Sequence, residues 1–162
     1  MKKILTAAVL AITGAFCMNA NALTAVGNFN VAVSLQSQCQ INTTNPAGAA
    51  TITNIAIAYT SFQTAVTNAN TTFNVRCTNT LPFSLALDAG TGSASGITYL
   101  LAIGTAATTN IVTAVTSLAS QVGTGANVAY FVSATAAAGQ AGTSLVNTVS
   151  VVNSARTVTI TY

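Results

Sequence analysis

The chain has 162 residues, 51 % of them apolar and only 3 % charged, with four Lys and Arg against one acid and no histidine. A nucleic-acid binder needs a basic patch to neutralise phosphate, and this composition excludes one. Acid–base catalysis needs titratable groups poised near the working pH, and here there are almost none.

Residues 1–22 read as a signal peptide. "MKK" is a basic start, "ILTAAVLAITGAF" a short apolar run, and Ala20-Asn21-Ala22 a small-residue cleavage site. The run is too short for a stable membrane span, which needs about 20 residues, so the protein is not expected to be an integral membrane protein. Phe16 before Cys17 argues against lipoprotein processing, which wants a small residue there. Removing these 22 residues from 162 leaves 140, the size of one domain. Both lysines leave with them, so Arg76, Arg156 and Asp88 give the remainder a formal charge of +1.

The first β signal follows in "LTAVGNFNVAVSL" (23–35). Phe29, Val31, Val33 and Leu35 alternate with Asn30, Ala32 and Ser34, the period of a strand with one buried face. The whole run, about 43 Å when extended, is long for a strand of a small sandwich. It therefore raises the question of whether part of it pairs outside its own domain. Further β signals are "ATITNIAIAY" (50–59), "TTFNVRC" (71–77), "PFSLALDAG" (82–90) and "GITYLLAI" (96–103). "NVAYFVSATA" (127–136), "NTVSVV" (147–152) and "RTVTITY" (156–162) complete the series. Gly, Asn, Ser or Pro cluster between them. Phe73, Val75 and Cys77 share one face; so do Phe83, Leu85 and Leu87, and Val158, Ile160 and Tyr162. The alanines of 106–121 favour a short helix, but the Thr and Val among them oppose it. Short strands at this spacing predict an all-β antiparallel sandwich or barrel.

Cys39 and Cys77 remain after processing. An even pair in an exported chain predicts a disulfide. A tetrahedral zinc site would need two more ligands, and with no histidine and one carboxylate they are missing. Serine and threonine hydroxyls lack a base to activate them, and a single acid excludes a carboxylate pair. The glycines of "GTGSASG" (90–96) and "GTG" (123–125) lack the lysine of a phosphate loop and read as turns. No enzyme, cofactor or metal site is expected. Such an apolar, weakly charged chain suits a protein whose surface is covered in an assembly.

These stretches match a known pattern. "SLQSQCQI", "VRCTN" (75–79), "FSLALDAG" (83–90), a "YLL" strand and the closing "TVTITY" resemble the spore coat protein U-like family, which includes the major subunits of archaic chaperone–usher pili. The resemblance runs from about Val26 to Tyr162. It implies an immunoglobulin-like sandwich lacking its last strand, completed by a donor strand from a neighbouring copy. On that basis Leu23, Thr24, Ala25, Val26, Gly27, Asn28 and Phe29 would be the donor segment (23–29) and residues 30–162 the sandwich. Residues 31–35 would run in their own sheet. The donor face would be Leu23, Ala25 and Gly27, or in the other register Thr24, Val26 and, beyond a bulge, Phe29, since a one-residue slip exchanges faces. Val158, Ile160 and Tyr162 would frame the acceptor groove. The implied partners are neighbouring copies, a periplasmic chaperone and an outer-membrane usher. The implied route runs through the periplasm to a surface fimbrium serving adhesion and biofilm formation. The alternative is a self-complemented secreted coat protein or carbohydrate-binding sandwich. Apart from the resemblance, Arg76 beside Cys77 is an available surface partner for Asp88, a kind of pair worth about 0 to 1 kcal/mol, and no function is assigned to it.

Overall fold

The computed structural model describes residues 24–42, 50–144, 149 and 151–162. The expected signal peptide, Leu23 and half of the expected 147–152 strand (147, 148 and 150) lie outside the described residues. The chain divides after Ser34, and both sheets belong to the unit from Leu35 to Tyr162.

Eight strands carry that unit: β1 Cys39–Ile41, β2 Thr67–Cys77, β3 Pro82–Leu87, β4 Thr91–Ala94, β5 Ile97–Gly104, β6 Ser117–Val122, β7 Val128–Ala136 and β8 Val158–Thr161. Among the described residues there is no helix. One sheet has the order β1-β2-β7-β5-β4 and the other β6-β3-β8, with every strand pair antiparallel. The alternating sequence is what lets two such sheets stack. In β2, Thr71, Phe73, Val75 and Cys77 are buried while the residues between them are exposed. Phe83, Leu85 and Leu87 are likewise the buried residues of β3, and in β7 Tyr130, Val132, Ala134 and Ala136 are buried together with Ser133 and Thr135 between them. The two sheets meet through aromatic rings. Tyr130 of β7 receives Phe83 of β3 edge-on at 6.2 Å and lies 6.1 Å from Phe73. Its hydroxyl reaches Gln121 at 3.2 Å, so its one polar atom is satisfied, and burial raises its pKa.

A corner joins the sheets. Val115 exchanges main-chain hydrogen bonds with Leu101 and Ile103 of β5, whereas the next residue, Thr116, accepts one from Leu87 of β3. The chain thus changes sheet between neighbouring residues, as sandwich corners do. The segment before it, 105–114, forms a flap held by side chains of β7. Ser133 Oγ accepts from Thr108 N–H at 2.9 Å, and Thr135 Oγ1 from Ile111 N–H at 3.0 Å. These bonds account for two of the few buried polar residues, Ser133 and Thr135, and let Ile111 bury without an unpaired amide.

Several expectations change. Residues 31–35 form no strand, and β1 begins only at Cys39. Residues 50–59 are extended and half-buried at intervals but belong to neither sheet. The stretch that composition left between helix and coil ends as β6, where Leu118 and Val122 are held by the register with β3. β4, "TGSA", has no alternation and exists because it hairpins onto β5.

Candidate functional site

The two sheets are unequal. Five strands face three, and the smaller sheet ends at β8, which pairs with β3 alone. Among the described residues its other edge has no strand neighbour, which leaves those main-chain groups open to pairing. On its inner face Val158 and Ile160 pack on the core yet remain half-buried. Tyr162 follows the last paired residue and is 50 % exposed.

A second open edge comes from residues 52–57. Ile52, Ile55 and Ile57 pack against the same core, and each is only half-buried. Ile55, Ile57 and Tyr59 keep strand period, while Thr53 and Asn54 are both exposed, an extra residue that shifts Ile52 into line. Among the described residues, none of the main-chain N–H or C=O groups of 52–57 has a hydrogen-bond partner. The flanks are tied down: Thr51 C=O accepts from Asn42 Nδ2 at 2.8 Å, and Tyr59 Oη donates to Ala137 C=O at 2.8 Å. The segment is thus held against the core at alternate side chains, without ladder bonds among the described residues. Main-chain groups in globular proteins are nearly always paired, so an extended run without partners calls for an explanation.

The entry to β8 is fixed by charge. Asp88 follows β3, and its carboxylate accepts from Thr157 N–H at 3.2 Å and from Arg156 Nη1 at 3.4 Å. The Thr157 amide, with the Arg156 guanidinium, holds the Asp88 pKa below the ordinary carboxylate range. Arg156 also donates to Thr91 C=O at 2.9 Å and to Tyr99 Oη at 3.3 Å, and stacks 5.9 Å from the Tyr99 ring centre. Tyr99 accordingly raises the Arg156 pKa. One guanidinium so links the end of β3, the start of β4 and β5. Gly92 is required there, because a Cβ would meet both the Tyr99 ring and the guanidinium. Asp88 pairs with Arg156 and not with Arg76, whose Nε donates to Gly125 C=O at 2.9 Å. Neither Arg156 nor the 52–57 main chain carried a signal in the sequence beyond its local composition.

The opposite anchor is the disulfide. Cys39 and Cys77 stand directly opposite in the β1–β2 register, with Cα atoms 4.0 Å apart and their sulfurs bonded. That closeness is the non-hydrogen-bonded site of an antiparallel pair. Just before it, Gln38 N–H donates to Thr78 Oγ1 at 3.0 Å and Gln38 C=O accepts from Thr78 N–H at 2.9 Å. Upstream, residues 24–38 hold no strand and are exposed throughout, including Thr24, Ala25, Val26, Gly27, Asn28 and Phe29.

A separate concavity of about 930 Å³ lies beside the flap, lined by Thr91, Leu100, Asn110, Ile111 and Thr135 among others. Among the described residues no three His, Cys, Asp or Glu side chains come together, and no helix is long and apolar enough to cross a membrane.

Two facing antiparallel sheets around one disulfide-clamped core, with two edges left open, define an incomplete immunoglobulin-like β-sandwich. More narrowly, residues 25–162 match the family model for the Spore Coat Protein U domain, and the chain belongs to that family. It is a family of coat-like and fimbrial surface proteins, structural in character. No curated protein and no solved structure matches the chain.

Proposed function

We propose that this protein is the structural subunit of a surface pilus, polymerised by donor-strand complementation. The observation that carries this reading is the extended, core-packed and unpaired main chain of residues 52–57. An incoming strand finds there the N–H and C=O groups it needs, and at β8 a second free edge over the same core. Main-chain bonds then supply affinity, and alternate side chains entering between Ile52, Ile55, Ile57, Val158 and Ile160 supply specificity. The donor is the N-terminal segment of the next copy. Head-to-tail repetition of one such contact does not close into a ring, so it builds a fibre.

Export follows from residues 1–22, and the Cys39–Cys77 bond forms in the oxidising periplasm. A newly exported subunit with open edges is an aggregation hazard. A periplasmic chaperone covers the groove first, and an outer-membrane usher exchanges it for the neighbour's strand. The assembled fimbrium serves attachment to surfaces and biofilm formation.

The test compares the mature protein with a variant lacking residues 23–35, both with the disulfide intact, by light scattering after size exclusion. Long polymers from the first and none from the second are expected. Stable monomers from both would show a sandwich complete in itself, and the reading would give way to a self-complemented coat or carbohydrate-binding protein.

A further inference from the structure

The unpaired N-terminal segment is apolar on one face only. Phe29, Val31, Val33 and Leu35 are 86, 76, 85 and 77 % exposed, and the residues between them are Asn30, Ala32 and Ser34. Upstream, over residues 24–28, Val26 is the one large apolar side chain, and it lies in the opposite phase. Four consecutive large side chains on one side of an extended chain are costly in water, and only a partner surface recovers that cost.

Their own domain does not supply the partner as a strand neighbour, since β1 starts at Cys39 and residues 24–38 enter neither sheet. The lengths also agree. Seven extended residues span about 23 Å, and the six of 52–57 about 20 Å. A donor of residues 29–35 covers the open stretch from end to end, whereas residues 23–28 bring only Leu23 and Val26, in opposite phases, to a site flanked by five.

We infer that the donor strand of this protein is residues 29–35, with Phe29, Val31, Val33 and Leu35 seated in the groove of a second copy and Asn30, Ala32 and Ser34 facing outward. The inference rests on the polymerisation proposed above and selects, of the two phases available to the segment, the one shared by Ala25 and Gly27. It also sets the joint between successive subunits. Gln38 is bonded twice to Thr78 and is followed at once by the disulfide, so only Gln36 and Ser37 separate the donor from its own sandwich. Each copy is therefore held to the next by a two-residue hinge.

Single aspartates placed along the segment in the full mature chain test this. Val31→Asp and Val33→Asp put a charge on the inward face, Ala32→Asp and Ser34→Asp put the same charge outward, and Val26→Asp lies upstream in the other phase. The readout is the ladder of detergent-resistant polymers on gels. Circular dichroism and the resistance of Cys39 and Cys77 to alkylation check each fold. All five positions are exposed, so folding is expected to be unchanged. Val31→Asp and Val33→Asp should lose the ladder, and the other three should keep it. If those two polymerise like the parent while Val26→Asp does not, the donor lies upstream in the other phase. The assignment then falls with the pilus reading intact. A parent chain that itself remains monomeric removes that reading, and the assignment with it.

Discussion

Residues 29–35 and strand β3 are written in the same pattern and have opposite fates. "FNVAVSL" and "PFSLAL" both alternate apolar with small or polar residues. In β3 the apolar face is buried, with Leu85 fully so, because β6 lies on one side, β8 on the other and the five-stranded sheet opposite. In residues 29–35 the corresponding face is exposed throughout. Alternation thus encodes a face able to be buried; the identity of what buries it comes from elsewhere. For β3 the answer lies within the chain. For the N-terminal segment, the partner proposed above is another copy.

The comparison can be broken at several places. The largest effect is expected at the disulfide, which follows the N-terminal segment in the chain. Replacing Cys39 and Cys77 together by serine should lower the unfolding free energy by about 4 kcal/mol, from loss of the loop constraint, measured by urea denaturation of the monomer. Next, Leu85→Ala in β3 should cost about 3 kcal/mol through its cavity, while Val33→Ala should change monomer stability by less than about 0.5 kcal/mol, as an exposed position does. Comparable losses from the two would contradict the exposure of the segment and undo the contrast. The smallest effect concerns the anchor of β8. Asp88 has a folded pKa below its unfolded value, so its contribution is present above about pH 4 and fades as pH falls through the lowered folded pKa. Because the Arg156–Asp88 pair is partly solvated, that contribution should not exceed about 1 kcal/mol. Acid titration of stability should show the step in the parent and a flatter profile in Asp88→Asn.

How much could be read in advance follows the same logic. β2, β3, β5 and β7 were legible because each buries a face rich in branched or aromatic residues, and the cysteine count anticipated the disulfide. β4 and β6 were not, since "TGSA" and "SLASQV" hold their places through neighbours, one by a hairpin onto β5 and the other by pairing with β3. Residues 50–59 have the composition of a strand and a near-alternating burial, but no ladder among the described residues; periodicity reports side-chain burial and is blind to main-chain pairing. Arg76, close to Cys77 in sequence, was the plainer partner for Asp88, yet Arg156 is brought there because Thr157 caps the same carboxylate at the start of β8. The open edges, which carry the function proposed here, are properties of the fold's incompleteness that no single residue announces.

The placement of the disulfide has a mechanical consequence. In a fibre pulled from its ends, tension leaving a donor strand enters its own subunit through Gln36 and Ser37 and arrives at Cys39 within four residues of Leu35. There the sulfur bridge passes it covalently to Cys77, the end of β2. That strand is 11 residues long and is registered with β7 over nine residue pairs. Force directed along it loads those rungs side by side, so they share the strain and none gives way first, as rungs opened one after another would. The three-residue β1, which would otherwise be peeled from the sheet edge, is spared.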